Sequence, residues 1–261
     1  RSWDYVDIIV VSADAYVDHP SFGHAVVSRL FEQEGLRVAV LPQPNWRDDL
    51  RDFKKLGKPR LFFAVSSGMD SMVNHYTANK RLRHDDAFTP GGKSGFRPDY
   101  AVYVYTQILK KLFPETPVII GGLESSLRRI SHYDYWQNKI KPSILFDTNA
   151  DLLVYGMGEK PLKEIIRLIK KGVPIKNMNS IPQTAYLTPK ENVPKNKLWE
   201  DLQLSDFEEC AKDKQIQFKN FRLFEIETNK MHSKRIIQNV QDKSVVVNPP
   251  YPPMAYGELD E

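Results

Sequence analysis

Cysteine is almost missing: Cys210 is the only one in 261 residues. One sulfur cannot make an internal disulfide, a cysteine-based zinc site or an iron–sulfur cluster, each of which needs several thiolates. Long apolar runs are missing too. Ile8-Ile-Val-Val11 and Leu61-Phe-Phe-Ala-Val65 fall far short of the ~18 residues that cross a bilayer. Neither sign of charge dominates, since 37 Lys and Arg face 33 Asp and Glu for a formal +4. That excess is too small and too mixed to indicate nucleic acid by itself. Arg1-Ser-Trp-Asp-Tyr-Val-Asp7 runs into a strand-like stretch rather than a signal-peptide pattern, so with cysteine this scarce the expected setting is the cytoplasm. A hydrophobic content of 41% excludes disorder as a description of the chain. At about 150 residues per domain, the length allows one or two domains with a proper core.

What is present reads as alternating strands and helices through residue 172. Ile8–Val11, Val38–Leu41, Phe62–Val65, Val118–Gly121 and Leu152–Tyr155 are short apolar strands. Helical spacing of apolar residues fills Ala25–Glu34, Asp99–Phe113 and Pro161–Lys171. Five such strands interleaved with helices predict a doubly wound α/β domain around a five-stranded, mainly parallel sheet over residues 1–172. From residue 173 the composition changes and prolines recur. A helix from about Ser205 to Gln217, a strand at Phe221–Glu227 and a hairpin of Arg235–Val240 with Ser244–Val247 predict a small α+β appendage over 173–247. Residues 248–261 are proline-rich and read as an extended linker.

Two stretches interrupt this rhythm, Asn74–Pro98 and Glu124–Lys141. Both follow carboxyl ends of predicted strands, the edge at which open α/β sheets bind ligands. Asp14-Ala-Tyr-Val-Asp-His-Pro-Ser-Phe-Gly23 places Asp14, Asp18 and His19 before a helix, either as a phosphate, metal or cofactor mouth or with Asp18 or Ser21 capping the helix and His19 solvated. Gly121 and Gly122, ahead of Glu124, let a flat or anionic ligand approach the backbone, or simply make a tight turn. Arg128, Arg129, His132, Asp134 and Trp136 lie within nine residues, suited to an anion, a planar ligand or a partner, or else to internal packing. Gly158 and Glu159 in Tyr155-Gly-Met-Gly-Glu159, and the loop Ser66-Ser-Gly-Met-Asp-Ser71, sit at the same edge. Lys80-Arg-Leu-Arg-His-Asp-Asp86 reads as a solvated charged loop. No Cys/His set has metal spacing, and no Gly-x-Ser-x-Gly elbow supports a serine triad.

Asp14 through Gly23, Met69-Asp-Ser-Met72 with Asn74, Tyr76 and Thr77, Lys80 through Asp86, and Gly121-Gly-Leu-Glu-Ser-Ser-Leu-Arg-Arg129 through His132-Tyr-Asp-Tyr-Trp136 together resemble the YgiQ-type uncharacterised radical SAM proteins. The resemblance spans most of residues 7–172 and continues more weakly into the tail. It implies an N-terminal accessory domain followed by a radical SAM barrel. In that barrel a Cys-x-x-x-Cys-x-x-Cys motif holds a [4Fe–4S] cluster that cleaves SAM to a 5′-deoxyadenosyl radical. Cys210 alone cannot supply that motif, so the cluster and SAM are expected in the barrel and the fragment alone is expected to be inactive. The five-strand pattern also resembles cobalamin-binding domains that precede such barrels. Their Asp-x-His-x-x-Gly spacing is altered here, because Asp18 and His19 are adjacent and Gly23 is four after His19.

The resulting expectation is a substrate- or cofactor-binding domain whose basic, aromatic edge faces the barrel. Arg128 and Arg129 would hold an anionic group of a small-molecule or macromolecular substrate, and His19 or His132 would move protons near neutral pH. Two rivals remain: a metal enzyme built on Asp14, Asp18 and His19, and an interaction module placing Lys80, Arg81, Arg83, Arg128 and Arg129 on RNA phosphates.

Overall fold

Strand residues here are apolar on both faces, so each strand needs cover above and below. The computed structural model describes residues 3–68 and 71–252 and supplies that cover. In chain order the elements are β1 (Ile8–Ser12), α1 (Gly23–Gln33), β2 (Val38–Pro42), α2 (Arg51–Lys54), β3 (Phe62–Ser67), α3 (Ser71–His75), α4 (Ala101–Leu112), β4 (Val118–Gly121), α5 (Gly122–Leu127), β5 (His132–Asp134) and β6 (Lys139–Lys141). They continue with α6 (Ile144–Thr148), β7 (Leu152–Val154), α7 (Glu159–Lys170), β8 (Thr184–Pro189), β9 (Asp201–Gln203), α8 (Phe207–Lys212), α9 (Lys214–Thr228), β10 (Arg235–Val240) and β11 (Lys243–Val247). No helix among the described residues is long and apolar enough to cross a membrane.

The period-two alternation of a strand sorts the core into two layers. Ile9, Val11, Phe63 and Val65 point to the face covered by α4, through Val102, Tyr105 and Leu109. Ile8, Val10, Phe62 and Ala64 point to the other face, covered by Leu30 and Phe31 of α1 and Leu162, Ile165 and Ile166 of α7. Strands run in the order β2-β1-β3-β4-β7, all parallel, which is the doubly wound arrangement expected from the sequence.

The sheet does not stop at five strands. β8 pairs antiparallel with β7 through Leu153↔Ala185, and β11, β10 and β9 follow, making nine strands among the described residues. The hairpin expected near residues 235–247 is present as β10 and β11, but β11 is hydrogen-bonded to β8 and so belongs to the main sheet. Both core layers cross this junction: Ala185, Val245 and Val247 join one, Tyr186, Ile237 and Val246 the other. β7 offers only three residues, all buried, so its free side requires a neighbouring strand.

Two local expectations are corrected. Phe221–Glu227 is helical, inside α9, because Gln217, Asn220, Phe224 and Glu227 bury one stripe at helical spacing. The helix expected over 205–217 is two helices. Asp206 and Glu209 form a capping box for α8, and the Asp213 side chain accepts from the Gln215 N–H to start α9.

After β11 the chain is pinned to the carboxyl edge of the sheet. Asn248 is fully buried with its amide on the Ile181 carbonyl at 2.8 Å, and Tyr155 Oη donates to the Asn248 carbonyl at 2.5 Å. The rest of the proline-rich stretch, residues 253–261, lies outside the described residues. Continuity of the sheet across residue 172 has a measurable consequence. A fragment ending at Gly172 will expose the open side of β7 and lose the part of both core layers that residues beyond 172 supply. It is expected to aggregate or stay unfolded by circular dichroism, and a soluble fragment with a cooperative melt would show that residues 1–172 are self-sufficient.

Candidate functional site

The order of strands reverses between β1 and β3, and the loops leaving the carboxyl ends of β1, β3, β4 and β7 gather the residues singled out by sequence at one edge. They do not form one constellation there.

Asp14, directly after β1, is 2% exposed. Its Oδ2 accepts from the Gly68 N–H at 2.7 Å and its Oδ1 from Arg97 Nη1 at 3.0 Å. Arg97 is also buried and turns its other two donors, Nε and Nη2, to the two oxygens of Asp86 at 2.8 and 2.9 Å. Asp86 further accepts from Asn74 Nδ2 at 2.6 Å, Thr89 Oγ1 at 3.1 Å and the Phe88 N–H at 2.9 Å. His75 lies beside it, with Nε2 at 3.5 Å and Nδ1 on Asp99 at 2.9 Å. Burial raises the Asp14 pKa and outweighs the Gly68 and Arg97 contacts that oppose it. Burial pushes Asp86 the same way, but the Arg97 fork and the surrounding donors prevail and hold it below the usual carboxylate range. The Lys80–Asp86 run is therefore not simply a solvated loop: Asp86 at its end is fully buried and fixes the long excursion onto β1.

Asp18 and His19 stand apart from Asp14. Both are exposed. Asp18 is ion-paired with Arg29 of α1, which lowers its pKa, and His19 Nδ1 accepts from the Ser21 N–H at 3.1 Å. Neither Asp18 nor Ser21 caps α1, whose N-cap is Phe22 without a side-chain bond. Among the described residues no group of three or more His, Cys, Asp or Glu is placed to hold a metal ion. Asp14, bonded to Arg97, is not brought together with Asp18 and His19. A carboxylate-backed histidine for cobalt is not assembled either, because Asp18 turns to Arg29 and His19 Nδ1 to the backbone. Cys210 is buried, receives the Asn220 amide at 3.0 Å, and has its thiol pKa raised by burial, so it does not fit cluster ligation.

The arginines expected to hold an anion are internal. Arg128 pairs with the buried Glu124 at 3.3 Å and lies over the Tyr100 ring at 5.0 Å. Arg129 is sandwiched between the rings of Tyr155 and Phe224, 4.7 and 4.5 Å away, and donates to the Ser126 carbonyl. Asp134 accepts from Tyr100 Oη at 2.6 Å and from the N–H groups of Trp136 and Gln137. Trp136 stacks near Tyr76 and Tyr135, while Lys80 donates to the carbonyls of Tyr135 and Trp136. Arg128 and Arg129 are thus turned inward, while Lys80, Arg81 and Arg83 stay exposed.

His132 Nδ1 sits 3.2 Å from the Ile130 carbonyl, which makes Nδ1 the protonated nitrogen of the neutral ring. Burial, helped by Arg128, lowers its pKa to about 4. A group so far from neutrality is a poor proton shuttle at pH 7. The gap beside it, bounded by Tyr100, Glu124, Arg128, Lys141 and Asp147, holds only ≈ 10 Å³, about one water.

Among the described residues, a crevice of ≈ 280 Å³ opens at this edge between the starts of α1 and α7. Gly121, Gly122, Gly158 and Glu159 all line it, with Ser21, Gly23 and Ser66. Gly122 has φ +80°, and a Cβ there would overlap the Ser67 carbonyl and come within 2.8 Å of Ser66 Oγ. Gly122 is thus required by its close approach to the end of β3 whether or not a ligand is bound. Of the Ser66–Ser71 loop, Met69 and Asp70 lie outside the described residues.

Sequence reasoning overlooked Arg97 and His75 as members of the edge, and took Asn74 and Asp86 only as motif residues. The one available signal was an arginine, Gly95-Phe-Arg-Pro98, in a loop too long for a plain connection.

A family model described as radical SAM N-terminal matches residues 1–261. The chain belongs to that family. It is 58% identical over 262 residues to a UPF0313 protein of Porphyromonas gingivalis, covering 100% of this chain and 41% of that protein. It is 57% identical to a UPF0313 protein of Bacteroides thetaiotaomicron, covering 44% of it. A UPF0313 protein of Geobacter sulfurreducens is 46% identical, with 42% covered. The chain thus spans about two fifths of the length of these curated relatives.

Two outcomes follow for this radical SAM N-terminal chain. Arg97→Met leaves Asp14 and Asp86 buried without their cation, so urea unfolding should show a loss of about 3–5 kcal/mol. Arg97→Lys, which lacks the fork, should recover only part of it; a change within ~1 kcal/mol for Arg97→Met would mean the network does not hold the loop. His132 acts through its lowered pKa. The unfolded chain takes up the proton near pH 6.5 and the folded chain only near 4, so its contribution is complete above about 6.5 and falls as the pH drops. Between pH 7 and pH 5 it should cost about 2 kcal/mol, a slope that His132→Asn flattens in urea titrations.

Proposed function

We propose that this chain is the N-terminal accessory domain of a radical SAM iron–sulfur protein of unknown substrate, and that its carboxyl sheet edge faces the rest of that polypeptide. One observation carries the reading: the family match runs over the whole chain, yet the chain is only about two fifths of its relatives. When bound by three thiolates elsewhere in such a protein, a [4Fe–4S] cluster would supply reductive cleavage of SAM. The residues of this chain would position, not perform, that step.

Two features of the edge support its facing a partner. Leu82, Phe96 and Met157, on the loops leaving β3 and β7, and Leu127, at the end of α5 after β4, are 56–62% exposed, large apolar side chains left open to solvent on the segments that follow the strand ends. The chain beyond β11 runs along the same edge, held by Tyr155 and by the Gln183 N–H on the Pro249 carbonyl at 2.7 Å. The loops themselves are stiffened by Arg97 and by the aromatic clamp of Tyr76, Tyr135 and Trp136, so the surface is preorganised for docking.

The test compares this chain with the full-length Porphyromonas gingivalis relative by hydrogen exchange under anaerobic conditions, after iron and sulfide reconstitution. The full-length protein is expected to take up the cluster, this chain is not, and residues 80–98 and 122–136 should exchange more slowly in the full-length protein. Equal exchange of those loops in both would refute the facing edge.

A further inference from the structure

We infer that the outward side of α9 is an interdomain docking surface, and that its occupant is the fused part of the same polypeptide, which sets an apolar patch and a carboxylate against it. The inference rests on this chain being the N-terminal domain of a longer protein, but it concerns a helix that the facing edge does not include.

The helix is built inside out. Its buried stripe is Gln217, Asn220, Phe224 and Glu227, three of them polar. Each polar member is bonded within the domain. Gln217 accepts from Ser131 Oγ at 2.8 Å, Asn220 donates to the Ser205 carbonyl at 2.9 Å, and Glu227 accepts from the Lys234 N–H at 2.8 Å. The outward side carries Phe218, Phe221, Leu223 and Ile226, which are 43–61% exposed. A helix lying on a finished surface has the opposite arrangement, apolar inward and polar outward. Phe218 and Phe221 are neighbours three residues apart, and so are Leu223 and Ile226. Arg222 joins the two pairs, four residues from both Phe218 and Ile226. Single exposed apolar side chains are ordinary, but four on three turns of one helix make a patch of the kind that marks an interaction surface.

Position selects the occupant. α9 runs beside the segment that leaves α5, with Lys214 Nζ 5.5 Å from the Tyr133 ring and Phe224 4.5 Å from the Arg129 guanidinium. Arg129 in turn lies 4.7 Å from the Tyr155 ring, whose hydroxyl donates to the Asn248 carbonyl. Only the side chains of Arg129 and Tyr155 therefore stand between α9 and the stretch that follows β11. A domain joined through that stretch is delivered beside the helix. More than half of each relative's length lies outside this chain, ample for an interdomain contact of ~600–1,500 Å². A second copy fits worse. The four apolar residues are centred on Arg222, so a two-fold axis over the patch would bring two Arg222 guanidiniums together, with two Lys219 close by. A different partner can oppose these cations with a carboxylate.

The experiment places Phe218→Ser together with Phe221→Ser in this chain and in the full-length protein that contains it, and follows melting and limited proteolysis of both. In this chain the double variant is expected to melt within about 2 °C of the parent, because neither ring is buried. In the full-length protein it should lower the melting of this domain by about 5 °C or more and speed cleavage between the domains roughly tenfold. Arg222→Glu should act in the same direction there and leave this chain's own melting unchanged. Leu56→Ser, at an exposed apolar residue ahead of β3, should change neither protein. Identical melting and cleavage of variant and parent full-length proteins would overturn the inference. An equal loss in both proteins would overturn it too, by making the face part of this domain's own fold. Sedimentation of this chain should show a monomer; a dimer that the double variant dissociates would give the face to a second copy and overturn the inference. Exchange of residues 80–98 and 122–136 reports the facing edge separately, so those loops can be protected while the α9 variants have no effect, and the reverse. A full-length protein that takes up no cluster would remove the radical SAM reading and leave the domain contact measurable.

Discussion

Arg97 is the constraint on which the carboxyl edge depends. Its guanidinium has two carboxylates to serve, Asp14 at the end of β1 and Asp86 in the long excursion after β3, and all three groups are buried. In water such an arrangement would be loose; in the interior the charges must stay together, because separation leaves a charge without compensation. The fork geometry fixes direction as well as distance. Residues 71–100, which bury few apolar side chains, are thereby held to the end of the sheet. Everything those residues touch inherits the placement, including the Lys80 and Tyr76 contacts to the β5–β6 hairpin.

The fold was legible where its signal is local. Strands β1 to β4 and helices α1, α4 and α7 stand close to where apolar periodicity puts them, because burial on a sheet or a helix face imposes that period on consecutive residues. β8, β9, β10 and β11 were read as a separate appendage because pairing between β7 and β8 depends on Leu153 meeting Ala185, and no local pattern encodes which edge a strand will join. Phe221–Glu227 alternates as a strand would, yet its neighbours Gln217 and Asn220 find buried polar partners in Ser131 and Ser205, and those tertiary bonds favour the helix.

The site was legible in location but not in roles. Paired charges and aromatics after strand ends correctly mark the edge, because loops there must be built from such residues whether they bind or brace. Arg128 and Arg129 have the composition of an anion clamp. Glu124 and the rings of Tyr155 and Phe224 make them internal, and only three-dimensional proximity reveals that. Arg97 was invisible for a related reason: its partner Asp14 is 83 residues away.

These assignments divide the edge by face. On the side of α4, Tyr105 feels Arg97, Asp14 and Glu124, and the space beside His132 admits about one water, so charge and packing have closed that side. On the side of α1 and α7 the same strand ends meet glycine backbone and apolar helix residues, and a crevice remains. The closed side could not bind a ligand without breaking buried ion pairs, at a cost of several kcal/mol. The open side requires no such rearrangement. The loops around that open side are nonetheless held in place, because Arg97 fixes the excursion after β3 to the residue that follows β1.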